Sequence, residues 1–422
     1  MKNINIFLTL IFIFSTYILL AQNSILYMGA TAHLGNGEKI QNSVISIKDG
    51  KFDIIGDIRT IKINPSFFDT VYKVYDKHIY PSFIIPNTTI GITEIGAVRA
   101  THDYNEVGLY NPNVRSLTAY NSDSKISETI ASNGMLIIQC TPRGGIISGQ
   151  SSIMYLDKNN WEDAICKADD GIHLKWPSSH YKTGWWAAEG ETKKNKQYQE
   201  KIDDIISFFK IAKSYFLENN GIDIKLESMK GLFNGSKTLY AHANHSHDIR
   251  KIINLSKELE IVKTVIVGAE DALKLVDELK DNDISLILNR IHRLPESSDS
   301  PIDEPFTQAK KLQEHGILFC LSYQGDMEAM GGRNLPFTAG TCVEYGLGYE
   351  AAVSSITLNT AKILGIDGFL GSIEKGKDAT FFISSGDALD IKTNNVEHAF
   401  IKGKKVDLEN HQKRLYKKYK KN

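Results

Sequence analysis

The stretch Pro81-Ser82-Phe83-Ile84-Ile85-Pro86-Asn87-Thr88-Thr89-Ile90-Gly91 decides the fold. It reads as a barrel strand that carries Asn87 and Thr89 two residues apart, hence on one face. Two imidazoles so placed would aim at one metal centre. An amide and a hydroxyl are weak neutral donors and hold a divalent transition metal poorly.

Toward the N-terminus, residues 24–78 read as short strands with turns. Ser43-Val44-Ile45-Ser46-Ile47 alternates, Lys48-Asp49-Gly50-Lys51 is a hairpin turn, and Phe52 to Gly56 is the return strand. Toward the C-terminus, strand-like and helix-like stretches alternate. Strands are expected at 134–139, 237–243, 260–267, 285–288 and 317–322, with helices at 271–280 and about 305–315. That rhythm over about 280 residues implies an α/β fold, a (β/α)8 barrel spanning residues 79–365. One insertion, about residues 157–220, holds Trp161, Trp176, Trp185 and Trp186 and a long amphipathic helix with Ile202, Ile205, Ile206, Phe209, Ile211 and Phe216. Its aromatics either pack the insertion onto the barrel or form a lid over the pocket mouth. Gly371-Ser372-Ile373-Glu374-Lys375-Gly376-Lys377-Asp378-Ala379 then leads into an apolar strand, and residues 399–406 close as a hairpin. Spacing alone gives a barrel with a small β appendage.

The 422 residues are 42% hydrophobic and 23% charged with a net charge of -1, so nothing global points to nucleic acid. Residues 1–21 read as a signal peptide: Lys2, an apolar run from Ile4 to Leu20, and a cleavage point at Ala21-Gln22. The mature chain is expected to be secreted or periplasmic, with an uncleaved membrane anchor as the alternative. Cys140, Cys166, Cys320 and Cys342 are sparse and read as isolated thiols, neither a disulfide framework nor a zinc site. Residues 409–422 read as a basic, solvated tail.

Three stretches together resemble the amidohydrolase superfamily, and within it the imidazolonepropionase-like metal-dependent hydrolases: residues 81–91, 357–365 and 371–379. In that family the first strand reads Pro-Gly-x-x-Asp-x-His-x-His-x-Gly. Pro81, Phe83, Pro86, Thr88 and Gly91 fall in register, and Asn87 and Thr89 stand where the two histidines would be. The resemblance implies the barrel inserted in a discontinuous small β-sandwich, residues 22–78 with 366–408, and hydrolysis of a non-peptide C–N bond, here with a degraded metal site. The alternative is a catalytically inactive member that binds a ligand or an intact paralogous amidohydrolase. Partners expected on either reading are a small molecule and, through self-association or the paralogue, another barrel.

The same resemblance assigns site residues. His242, in Tyr240-Ala241-His242-Ala243, matches the fifth-strand histidine. Val267 takes the sixth-strand ligand place, which is lost. Asp326, after the strand that ends near Leu321, matches the general-base aspartate. Two ligands are too few for a catalytic zinc, so no tightly bound metal is expected, and His242 and Asp326 become acid–base candidates. A zinc site rebuilt with His245, His247 or His102-Asp103 is the alternative to reading those residues as ordinary polar groups. Arg143, in the Gly- and Ser-rich stretch 142–152, Arg115, Asp123 and Arg333 are the candidate substrate-binding residues. That stretch is either an anion-binding loop or a plain tight loop, and Asp123 either lines the pocket or caps the next helix.

Overall fold

The computed structural model describes residues 24–156, 160–185, 188–218, 221–295, 299–325 and 327–420. The expected signal peptide and Asp326 lie outside these. Among the described residues no helix is long and apolar enough to cross a membrane.

Eight strands form one nearly closed sheet: β1 Phe83–Thr88, β2 Met135–Cys140, β3 Ile147–Tyr155, β4 Ile165–Lys175, β5 Thr238–Ala243, β6 Thr264–Gly268, β7 Ser285–Leu288 and β8 Phe319–Leu321. They neighbour one another in chain order. β1, β2 and β4 to β8 share one direction, as the repeat predicts, whereas β3 runs antiparallel to both β2 and β4. The regular (β/α)8 expectation is corrected here. No crossover helix is needed between β2, β3 and β4, because an antiparallel pair joins through a short turn. Gly144 (φ +86°) and Gly145 (φ +63°) make that turn after β2. The stretch 142–152 is thus a reversal followed by a strand. β4 falls within residues 157–220, so that segment is only in part an insertion. The remainder holds the hairpin His180–Trp185 with Ala188–Lys194 and the helix Tyr198–Glu218. That helix buries Ile202, Ile205 and Phe209 as expected, while Ile211 is exposed.

β8 and β1 are not paired. The seam between them is covered by the helix Leu358–Leu364, which packs on both, and Ile84 N–H donates to the carbonyl of Ile356 (2.9 Å). At the end of β1, Gly91 has φ +83°, and a Cβ there would meet the Tyr120 ring at 2.3 Å. Only glycine fits both the backbone and the space.

Two further sheets use both ends of the chain. One orders Lys51–Asp57, Ser43–Lys48, Ser24–Met28 and Thr70–Lys73. The other orders Lys404–Val406, Val396–Ile401, Phe381–Ser384, His78–Pro81, Thr31–His33 and Lys39–Ile40. Tyr27 from the first sheet meets Phe381 and Phe400 from the second, with ring centroids 5.4 and 5.7 Å apart. The stretch 371–379 ties the ends together: Ile373 N–H donates to Leu34 O, and Asp378 pairs with Lys51 at 2.9 Å. The basic tail forms the helix His411–Tyr419, whose Arg414 pairs with Glu128 at 2.8 Å.

Phe381–Ser384 is a wall shared by two cores. Strand alternation sends Phe381 and Ile383 into the core between the two sheets and Phe382 into the barrel core. Phe382 is fully buried, edge-on to Phe83 at 4.8 Å and stacked on Tyr80 at 5.3 Å. Phe382→Ala is expected to lower stability by about 3–5 kcal/mol in urea unfolding. A loss below about 1 kcal/mol would contradict this packing.

Candidate active site

The C-terminal ends of β1, β2, β5 and β6 meet around one guanidinium. Arg143 follows β2 by three residues and is turned inward where the chain reverses. Its Nη1 donates to Asn87 Oδ1 (3.0 Å), and its Nη2 donates to the Asn87 carbonyl (2.9 Å) and to Glu328 Oε1 (2.9 Å). Asn87 Nδ2 donates to Gln324 Oε1 (2.9 Å). The pairing of β1 with β2 slips between Ile85 and Thr88, and Asn87 has φ +51°. Simple alternation therefore does not extend through Asn87. It holds the guanidinium, while Thr89 lines a cavity beside it.

Asn87 is fixed from below by a buried polar layer. Its N–H donates to Gln139 Oε1 (2.9 Å), and Gln139 Nε2 donates to Asp170 Oδ2 (2.9 Å). Ser151 Oγ and Tyr240 OH also donate to Asp170, at 2.7 and 2.8 Å. Burial raises the Asp170 carboxyl above its ordinary value, and the Ser151 and Tyr240 hydroxyls act against that rise. The layer's acceptors and donors are matched, as a buried polar group requires.

His242 ends β5, and its Nε2 lies 3.0 Å from His173 Nδ1. His173 is buried, stacked on Tyr240 at 4.7 Å, and its Nε2 has no hydrogen-bond partner. Donation from His173 Nδ1–H to His242 leaves that orphan atom a lone pair; the opposite tautomer would bury an unpaired N–H, which costs more. Burial, then Arg143 and Lys175, hold His242 well below the ordinary imidazole value. His173 is lowered in the same way by burial, then by His242 and Arg143.

Two cavities open on either side of Arg143. One, about 570 Å³, is lined by Arg143, Lys175, Trp176, His242, Val267 and Arg290, among others. The other, about 870 Å³, is lined by Thr89, Ile95, Tyr104, Ile126, Met327 and Met330, among others. His102 lines the second cavity, and His245 lines the first at the start of the helix Ser246–Glu258. His247 is exposed beside Tyr198.

The other sequence candidates sit apart from Arg143. Arg115 pairs with Asp169 at 2.8 Å. Asp123 is exposed in the turn before the helix Lys125–Ala131, which Ser124 caps. Arg333 is exposed, and its carbonyl accepts from Asn133. None of the three lines either cavity. Among the tryptophans whose side chains are described, Trp176 lines the first cavity and Trp161 is exposed; Trp186 lies outside the described residues. His173, Gln139 and Asp170 were not singled out from the sequence. The alternation His173-Leu174-Lys175 was the available signal, obscured by the charged run Lys167-Ala168-Asp169-Asp170 before it.

Among the described residues, which do not include Asp326, the donor set does not fit a divalent cation. Among the described residues no three His, Cys, Asp or Glu side chains group as ligands. Val267 is apolar, and Asn87 Oδ1 already accepts from the Arg143 guanidinium at 3.0 Å.

A family model described as the amidohydrolase family matches residues 187–406, just over half of the chain. Imidazolonepropionase from Flavobacterium psychrophilum is 30% identical over 110 residues, 24% of this chain and 27% of that protein, so the match spans about a quarter of the relative's length. An amidohydrolase structure from Thermotoga maritima superposes with a TM-score of 0.75 at 21% identity, over 91% of this chain and 99% of that one. The ochratoxinase of A. niger superposes with a TM-score of 0.55 at 13% identity, over 91% and 95%. The structural likenesses speak to the fold alone; the family match, together with the frame at residues 81–91, places this protein in the amidohydrolase family.

Proposed function

We propose that the barrel mouth is a hydrolase site for a non-peptide C–N bond in a small molecule, built around Arg143 in place of a divalent metal. The observation that carries this reading is the guanidinium held between Asn87 and Glu328 at the strand ends. Barrel enzymes gather their chemistry at that face. A guanidinium there opposes a second cation and favours an oxygen that gains negative charge. Its four Nη hydrogens are directed at Asn87, Glu328 and nearby carbonyls, and its Nε–H has no protein partner among the described residues. In the step proposed, water adds to the carbonyl carbon and the C–N bond breaks. Arg143 donates to the carbonyl oxygen as it becomes an oxyanion. The proton released by water passes to the departing nitrogen, with Asp326 as the base that carries it. His242, held neutral, serves as a hydrogen-bonding orienter; its depressed value leaves too little imidazolium near neutral pH for it to act as the general acid. The reading treats residues 22–78 and 366–408 as one β-domain carrying the barrel, and places the mature chain outside the cytoplasm.

The direct test is a screen of acyl amides and cyclic amides for amine release, with and without chelator. Turnover that survives dialysis against EDTA, and that falls by about 10²–10³ in kcat for Arg143→Met, is expected. Turnover that disappears with chelator and returns with zinc would overturn the arginine-centred site.

The neutral histidines also set a pH dependence. The folded values of His173 and His242 are depressed, so the unfolded chain binds more protons below its own value of about 6.5. Stability is complete above that pH and declines as pH falls through it. The decline should approach about 1.4 kcal/mol per pH unit for each histidine between about pH 6.5 and 5. Urea unfolding across that range should show the slope, and His173→Asn with His242→Asn should reduce it whatever the variant's absolute stability. An unchanged slope would mean that the two rings are charged in the folded chain.

A further inference from the structure

The two cavities that meet at Arg143 have opposite character, and they share Arg143 and Gly325 as their common wall. Arg143, Lys175, Arg290 and Arg293 line the first. Among the described residues Lys175 and Arg290 have no carboxylate partner, and Arg290 lies over the Tyr323 ring at 5.3 Å. Asp248, a carboxylate that lines this cavity, accepts from Tyr198 OH and keeps its negative charge. Among the described residues, Glu328 and Glu270 pair with Arg143 and Arg293, which leaves Lys175 and Arg290 against the one lining carboxylate, Asp248, so the walls are net positive. Cations gathered in a concave, partly desolvated site raise the local concentration of anions.

The second cavity is mainly apolar. Ile95, Ala97, Ile126, Met327 and Met330 line it, and Ile95 and Met327 are 56% and 74% exposed. Its carboxylates are engaged elsewhere: Glu94 accepts from Asn121 and Ser124, and Glu328 from Arg143. Large apolar side chains exposed around a concavity mark a surface that gains by being covered. At Gly325 the shared wall has no side chain, and its φ of +127° disfavours acquiring one.

We propose that these cavities form one bipartite site for an amphipathic small anion, with an oxyanion head among Arg143, Lys175 and Arg290 and an apolar arm over Ile95, Met327 and Met330. This deepens the reading of the barrel mouth as the substrate site, because it places the bond between head and arm against Arg143. The substrate class is an organic acid joined to an apolar group, such as an apolar acyl chain on an amino acid.

Octanoate serves as the probe, with acetate and 1-octanol as its separate halves, in calorimetric titration of the full chain at fixed ionic strength. Octanoate is expected to bind at least about tenfold more tightly than either half. Lys175→Gln with Arg290→Gln should weaken octanoate by about tenfold or more, and so should Ile95→Asp, an exposed position whose change spares the core. Circular dichroism confirms that the variants fold. Equal binding of octanoate and acetate, or octanoate affinity that either variant leaves unchanged, would overturn the proposal. The titration reads binding without turnover. Octanoate binding with no amide hydrolysis would sink only the hydrolase reading, and hydrolysis by a protein that ignores octanoate would sink only the bipartite site.

Discussion

The guanidinium of Arg143, held by Asn87 and Glu328, is the interaction on which the barrel mouth depends. The side chains of Arg143 and Glu328 are only 20% and 13% exposed, so neither charge is well solvated alone. Removing one partner would leave the other uncompensated, and that cost is what fixes the arrangement. Asn87 takes a left-handed backbone to present both its carbonyl and its side-chain oxygen to the arginine. Such a conformation persists only where its surroundings enforce it. Here the enforcement comes from Gln139, which accepts from the Asn87 N–H and is itself anchored on Asp170.

Topology delivers the arginine. A βαβ connection would carry the chain away from the barrel mouth into a helix. The reversal at Gly144-Gly145 keeps it at the mouth and returns it as the antiparallel β3. β3 also contributes Ser151 to the polar layer under Asn87. One departure from the regular barrel thus supplies both the central cation and part of its support.

Much of this was legible in the sequence. The strand-and-helix rhythm gave six of the eight barrel strands, because periodicity and turn chemistry are local signals, while β4 was read as part of an insertion. His242 and Val267 were singled out through the family resemblance, and they lie on β5 and β6. Arg143 at the centre could not, because its partners are 56 and 185 residues away in the chain and no local pattern joins them. Arg115 looked like Arg143 in sequence, a basic residue in a polar loop, yet it pairs with Asp169. The antiparallel β3 escaped notice because Ser148, Gly149, Gln150, Ser151 and Ser152 look like a loop when their burial inside a barrel is unknown. Central strands tolerate such residues when hydrogen-bonded neighbours satisfy them.

The central claim is that a guanidinium occupies the ground where barrel-strand histidines would gather a metal. Anomalous diffraction at the zinc edge, from crystals grown with zinc in excess, tests it most directly. The account predicts no anomalous peak among Asn87, His242 and Val267, with Arg143 bonded to Asn87 and Glu328. A full-occupancy peak there, with Arg143 swung away, would contradict it.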